Sequence, residues 1–402
     1  MSQAACRKNP MCVTLSDFFG SVFVMNSVRQ FPLHALLLLP ALLLMLDGLW
    51  AGLQRMGWAL PHLHPNLAAL HGPLMLAGFL GTLIALERAV ALRVRWFFGA
   101  PLCSAFGTIL LLVNQPALGM ALITLGSAGL AAMMFVIVRK HSAPYTWLLL
   151  AGACMWLIGN VLWFAGFGIT NVVLWWSSFL ILTIVGERLE LSRILRVPRP
   201  AQMFFWTALG LFCAGVVIDT LERAFFAGEI FYWGSRAAGL GMLALALWLA
   251  RYDIARRNLF QKGLTRFIAV CLFSGYIWLG IGGVLRAWEP GATAGFYYDA
   301  MLHAVFVGFI IGMIFAHAPI ILPAILARPL PYAPVLYAPW LLLQIGLVIR
   351  IGGDLTAEFY VRQWGGMLSA LAIVFFFATI LVLTIFYARS KPRALQKTHP
   401  IP

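Results

Sequence analysis

Histidine is the side chain in this sequence best suited to bind a metal or carry a proton near neutral pH, and its eight copies are unevenly placed. His71 opens Leu70-His71-Gly72-Pro73-Leu74-Met75, the head of an apolar run that continues to Glu87-Arg88. His303, in Asp299-Ala300-Met301-Leu302-His303-Ala304, heads another, and His317 follows 14 residues later. His34 opens the first apolar run. His62 and His64 flank Leu63 in Leu60-Pro61-His62-Leu63-His64-Pro65, an H-x-H pair whose spacing suits copper or zinc but supplies only two ligands. Without further ligands these are solvated loop residues, and His141 and His399 read as surface residues. The six cysteines are scattered with no C-x-x-C spacing, so they read as small buried apolar residues, neither a disulfide framework nor a zinc site.

The elements that must position these side chains follow from composition. The chain has 402 residues, of which 62% are hydrophobic and 10% charged, against about 25% charged in ordinary globular domains. That much apolar surface does not fit in one soluble core, and apolar runs of about 20 residues, each able to cross a hydrocarbon layer as a helix, recur along the chain. We read twelve spans, beginning at about 33–53, 67–87, 96–113 and 117–138, continuing at about 146–167, 171–186, 201–219 and 230–250, and ending at about 267–286, 297–322, 333–350 and 364–388. The expected fold is all-α and polytopic: a cytoplasmic segment 1–32, a twelve-helix membrane domain 33–388 and a basic tail 389–402. The first 30 residues read as a signal anchor that is not cleaved, with Met11 and Met25 as alternative starts.

Charge tests the span count. With the N-terminus placed in the cytoplasm, six of the 28 Lys and Arg fall outside (Arg55, Arg223, Arg236, Arg286, Arg350, Arg362) and the remaining 22 inside. Basic residues are retained on the cytoplasmic side of a membrane, and omitting one helix would invert every later loop and scramble the bias. Both termini are therefore expected in the cytoplasm of a bacterial inner-membrane protein. The net charge of +15 reflects these loops, not nucleic-acid binding. Ile84-Ala85-Leu86-Glu87-Arg88-Ala89, ending the second span, echoes Ile184-Val185-Gly186-Glu187-Arg188-Leu189, ending the sixth. Spans four apart suit three four-helix units; a pair of snorkelling interfacial charges is the simpler explanation of the echo.

Topology then sorts the histidines by depth. His71 lies about five residues into the second span and His303 about six into the tenth, about 8 Å below the outer boundary at 1.5 Å per residue. Both spans run from outside to inside, so the imidazoles share a level in the outer leaflet. A single intramembrane histidine ordinarily hydrogen-bonds a neighbouring helix; two at one depth on like-directed helices supply the two axial nitrogens of a six-coordinate haem iron. Haem b is the expected cofactor. Its propionates need cations at the outer boundary, and Arg286 and Arg350, ending the ninth and eleventh spans, are the candidates, although each also reads as a helix-end anchor. At 100° per residue His317 returns to within about 40° of the His303 face, about 21 Å deeper, where His34 would lie too. A second metal or haem between His34 and His317 is one expectation and interfacial snorkelling the other. Gly78, Gly81 and the Gly308-x-x-x-Gly312 pair leave room for close approach of backbones or of a porphyrin.

With these residues in view, the chain resembles the NnrS membrane proteins and, more distantly, subunit I of the haem–copper oxidases. The resemblance rests on the twelve-span layout, on His71-Gly72-x-Leu74-Met75, on His303-Ala304 with Val307-Gly308-x-Ile310, and on Ala327-Arg328-Pro329-Leu330. It implies a low-spin haem on His71 and His303. The oxidase copper site would need histidines in spans six and seven, where this chain has none, so that kind of oxygen- or nitric-oxide-reducing centre is not expected. The NnrS resemblance implies haem and copper and a link to nitric oxide stress. The expected work is electron transfer with a redox partner, or binding of a small gaseous ligand, within the lipid bilayer. The competing classes are a secondary transporter using intramembrane His and Glu for proton coupling, and a cofactor-free membrane scaffold.

Overall fold

The computed structural model describes residues 36–61, 63–225, 231–326 and 330–390, the last five by backbone alone. His34, His62, the segment 1–32, the 327–329 part of the Ala327 turn and most of the tail 389–402 lie outside the described residues. Every regular element among the described residues is helical. Twelve long helices follow one another: α1 Leu38–Arg55, α2 Leu67–Leu92, α3 Arg95–Leu112, α4 Pro116–Lys140, α5 Pro144–Phe164, α6 Ile169–Ser192, α7 Arg199–Phe225, α8 Trp233–Tyr252, α9 Gly263–Trp288, α10 Gly295–Leu326, α11 Pro334–Leu355 and α12 Phe359–Ser390. All but α1 are long and apolar enough to cross a membrane. α1 falls short because its 18 residues include Asp47, Gln54 and Arg55. The protein is an all-α, polytopic membrane protein.

Helix ends follow local chemistry. Pro116 and Pro144 start α4 and α5, where a missing N–H costs no hydrogen bond. Thr146 in the first turn of α5 accepts from the Ala143 N–H at 3.0 Å. α2 stops at Arg93 and the α11–α12 turn pivots on Ala357, both with positive φ (56° and 58°).

Consecutive helices pack side by side, and α12 returns to α1, so the chain closes into a ring. Their outward faces are apolar too, as exposed Leu39, Phe106, Leu125, Leu211, Leu247 and Leu381 show, which is the surface that lipid requires. α6 is the exception: 83% of its most apolar window is buried. It touches α10, α10 touches α2, and Arg88 of α2 pairs with Glu187 of α6. Helices α2, α6 and α10, spaced four apart, thus converge in the middle, the arrangement that three four-helix units would produce.

Two of these central helices carry a rare irregularity. Leu74–Gly81 in α2 and Ala304–Ile311 in α10 are π-helical, each eight residues long, beginning three residues after His71 and one after His303. The i→i+5 register is rare and appears mainly at functional sites. In α2 the Ala77 carbonyl accepts from the Thr82 hydroxyl at 3.1 Å and from the Ser104 hydroxyl of α3 at 2.7 Å, which fastens the irregular turn to its neighbour.

Candidate functional site

The structure brings His71 and His303 together. Their ring centroids are 6.2 Å apart and their planes 22° from parallel. Three helices, α1, α11 and α12, frame the pair from outside. Gly48 and Gly52 of α1 lie on one face; a Cβ on Gly52 would stand 2.9 Å from His71 Cε1, and one on Gly48 2.7 Å from Met75 Sδ. Their bareness lets the His71 ring lie against α1, where Nδ1 meets the Gly48 carbonyl at 2.7 Å. On the other side, Cβ atoms on Gly353 and Gly365 would land on the backbones of Arg362 and Arg350, and one on Gly346 would stand 2.8 Å from Ser369 N. α11 and α12 therefore meet backbone to backbone, and each presents an arginine to α10.

Those arginines converge on Asp299, one turn before His303. Arg350 donates through Nε to Asp299 Oδ2 (2.8 Å) and through Nη2 to Oδ1 (3.0 Å), a bidentate pair, and the same Nη2 is 3.1 Å from His303 Nε2. Arg362 Nη2 stands 3.4 Å from Asp299 Oδ1, and its Nε 2.9 Å from Asp354 Oδ1, where the N–H direction misses the oxygen. Two guanidiniums and two carboxylates balance without help from the imidazoles. Asp299 is 13% and Arg350 9% exposed, so the pair is held away from bulk solvent.

Both imidazoles have Nδ1 against a backbone carbonyl: His71 on Gly48 and His303 on its own i−4 residue Asp299, at 2.9 Å. An Nδ1–H fixed in this way leaves Nε2 with the lone pair, which is how metal-binding histidines are oriented. His71 Nε2 makes no hydrogen bond among the described residues. The ring separation is within the range of offset stacking, and a second geometry gives the same length. It matches two metal–nitrogen bonds of about 2.0 Å plus a ring radius of about 1 Å on either side. No group of three or more His, Cys, Asp or Glu gathers to hold a metal among the described residues. A two-histidine donor set is incomplete for a bare zinc or copper ion but complete for a porphyrin, which brings its own four nitrogens. The residues fit a haem on one condition: Arg350 must release His303 Nε2, while Asp299 can keep hold of Arg350.

The other expected residues are elsewhere. Arg286 is buried in α9 and donates to the Ser235 hydroxyl of α8 at 3.3 Å. Arg55, exposed at the end of α1, has no carboxylate partner among the described residues. His64 Nδ1 accepts from the Asn66 N–H at 3.4 Å. His317 joins a separate cluster: Nδ1 meets the Met313 carbonyl at 2.7 Å, and Nε2 is 3.1 Å from Arg188 Nη2 and 3.9 Å from Glu187 Oε2. With His34 outside the described residues, the expected His34–His317 pairing has no geometry to report. Gly78, Gly81 and Gly308 serve packing: a Cβ would stand 2.9 Å from Thr108 at Gly78 and would meet Trp156 at Gly81 and Trp278 at Gly308. A Cβ on Gly312 would make ordinary van der Waals contact, 3.7 Å from the Cys271 carbonyl. Gly48, Gly52, Asp299, Arg362 and Asp354 were not among the expected site residues. The Gly48-x-x-x-Gly52 spacing and an aspartate four residues before His303 are the signals that pointed to them.

Residues 34–385 match one family model, described as a domain of unknown function, DUF8744. No curated protein matches the chain.

Proposed function

We propose that this chain, which belongs to the DUF8744 family, is an NnrS-like membrane protein that holds one b-type haem between His71 and His303. The reading places it in a bacterial inner membrane, with both termini cytoplasmic and the haem in the outer leaflet. The observation that carries it is the facing imidazole pair, 6.2 Å between ring centroids, with both Nδ1 atoms on backbone carbonyls. A bound b-type haem would supply reversible one-electron chemistry and an iron able to bind a small ligand such as nitric oxide.

The protein's own residues do the rest. Gly48 and Asp299 set the tautomer and aim of the two rings. Asp299, together with Asp354, also balances Arg350 and Arg362, so that this end of the bundle tolerates two buried guanidiniums. Arg350 has a second use, because its Nη2 is in hydrogen-bond range of His303 Nε2. This contact holds the His303 ring in place and points its Nε2 lone pair at a donor. Among cations for the propionates, Arg55 is better placed than Arg286, which is already turned toward Ser235.

The test is the visible spectrum of the purified protein, oxidised and then dithionite-reduced. A Soret band that shifts on reduction and disappears in both His71→Ala and His303→Ala is expected. A wild-type protein with haem available and no Soret band, or a band that survives both substitutions, refutes the assignment. Nitric oxide added to the reduced protein should shift the band, and more readily in His303→Ala rescued with imidazole.

A further inference from the structure

Between α8 and α9 the outer face of the bundle carries a groove of about 370 Å³. The two helices touch backbone to backbone at Gly239 and Gly283, where a Cβ on either would stand 2.6 Å from the carbonyl oxygen of the other. The groove begins one turn further along α8 and runs to Ala250. Ala246, Ala250 and Gly280 line it with little bulk, and the exposed Leu247, Ile277 and Val284 are its lipid-facing members. Gly280 differs from the other two glycines: a Cβ there would meet Ala246 Cβ and Leu243 Cδ1 at 3.6 Å, an ordinary contact. Packing does not require that glycine, and its missing side chain keeps the groove open.

The length of the groove fits one lipid tail. Leu243 to Ala250 is about 10 Å of helix and Tyr276 to Leu285 about 14 Å, against about 15 Å for one leaflet of the hydrocarbon layer. Every lining side chain is apolar except Tyr276, whose hydroxyl is turned inward to Asp253 Oδ2 at 2.5 Å. A polar ligand therefore has nothing to bind there.

The Ala250 end is basic. Arg251 lies one turn beyond Leu247, on the same face of α8. It opens a stretch to Arg266 with five exposed basic side chains: Arg251, Arg256, Arg257, Lys262 and Arg266. Asp253 is the only acid in the stretch, and it is buried, accepting from Ser192 Oγ at 2.9 Å, from the Ile254 N–H at 2.8 Å and from Tyr276. Its bond to Tyr276 fastens the start of the basic stretch to the groove wall. None of the five cations is ion-paired among the described residues. Phe260 beside them is 87% exposed, an apolar side chain that lipid accommodates. Uncompensated cations at a membrane surface attract anionic headgroups. The sidedness of Lys and Arg accounts for basic loops in general, but not for an apolar groove that ends on one.

We infer that an anionic phospholipid from the leaflet at this end of the bundle binds here, with one acyl chain in the α8–α9 groove and its phosphate among Arg251, Arg256 and Arg257. The site lies apart from the histidine pair of α2 and α10 and stands whether or not haem is bound there.

The experiment titrates the full chain in nonionic detergent with phosphatidylglycerol or phosphatidylethanolamine of the same acyl chains and counts bound lipid by native mass spectrometry. Phosphatidylglycerol is expected to bind at about tenfold lower concentration, the equivalent of one or two charge contacts. Arg251→Gln/Arg256→Gln/Arg257→Gln should erase that preference, whereas Arg139→Gln/Lys140→Gln, at the C-terminal end of α4, should keep it. Gly280→Leu, which fills the groove, should lose occupancy by both lipids. Helix content and monodispersity check that the variants fold, and Ala250→Leu replaces Gly280→Leu if that variant does not. Equal binding of the two lipids by the wild type, equal loss in the α4 variant, or full occupancy in the filled groove overturns the proposal. A dimer that Gly280→Leu dissociates would assign the groove to a second copy of the chain and overturn it too.

Discussion

Gly52→Ala should disable the histidine pair without unfolding the protein. The added methyl would stand 2.9 Å from His71 Cε1 and 3.0 Å from Nδ1. Carbon contacts settle at about 3.5–4.0 Å, so the ring must retreat by about 0.5–1 Å. The retreat draws Nδ1 away from the Gly48 carbonyl, 2.7 Å distant, and forfeits a hydrogen bond whose net worth is about 1 kcal/mol. Alanine gains back about 1 kcal/mol over glycine inside a helix. Stability should therefore change by less than about 1 kcal/mol, while the imidazole leaves the tolerance of about 0.5 Å that a preorganised site allows. The thermal midpoint in detergent, read by loss of monodisperse protein, is expected to hold. Haem retained per chain, read from the Soret band, is expected to fall about tenfold. Gly72→Ala is the matched control, because its methyl would meet only Ile169 Cγ2, at 3.9 Å. Wild-type haem content in Gly52→Ala, or equal loss in Gly72→Ala, would refute the contact argument.

Three further perturbations probe the frame around the site. Asp299→Asn leaves Arg350 and Arg362 without their shared carboxylate and should destabilise by about 3 kcal/mol, with Asp299→Asn/Arg350→Gln recovering much of it in a double-mutant cycle; additivity of the two changes would count against a coupled pair. Tyr276→Phe removes the phenol that donates to Asp253 Oδ2 at 2.5 Å in a fully buried position, and a loss of about 1.5–3 kcal/mol is expected in the same unfolding assay. Gly234→Val should abolish accumulation of folded protein in the membrane, because a side chain there meets the backbone of Asp219 across the α7–α8 contact; normal expression levels would contradict that packing.

The fold was legible because lipid makes it so. Apolar run length is a one-dimensional signal, and the twelve spans read from it agree with the twelve long helices to within a few residues at most ends, although the first of those helices is not apolar enough to count as a span by itself. The level of His71 and His303 followed from the same arithmetic, and the two rings do face each other. What supports the rings was harder to read. Gly48 and Gly52 belong to α1 and announce themselves only as absent side chains, while Arg350 was expected to serve a propionate and is found holding Asp299. A charge count sees an arginine at a helix end but not which of several nearby carboxylates it will choose. That choice is made by the backbone-to-backbone seam of α11 and α12.

The placing of His317 shows where helix periodicity itself failed. Counting 14 residues from His303 at 100° each brings it to within about 40° of the same face. That count assumes an uninterrupted α-helix, and Ala304–Ile311 is π-helical. A π-bulge adds one residue to the turn, and one residue in an α-helix of 3.6 per turn is about 100° of rotation, so everything beyond the bulge swings by about that angle. Thirteen effective steps leave His317 about 140° from the His303 face instead of about 40°. The contacts agree: His303 looks to His71 of α2 and Arg350 of α11, whereas His317 looks to Arg188 and Glu187 of α6. The irregular turn therefore separates two histidines that a regular helix would have stacked along one face. It lets α10 serve the imidazole pair at one end and the cluster of Arg188 and Glu187 at the other, with different partners for each.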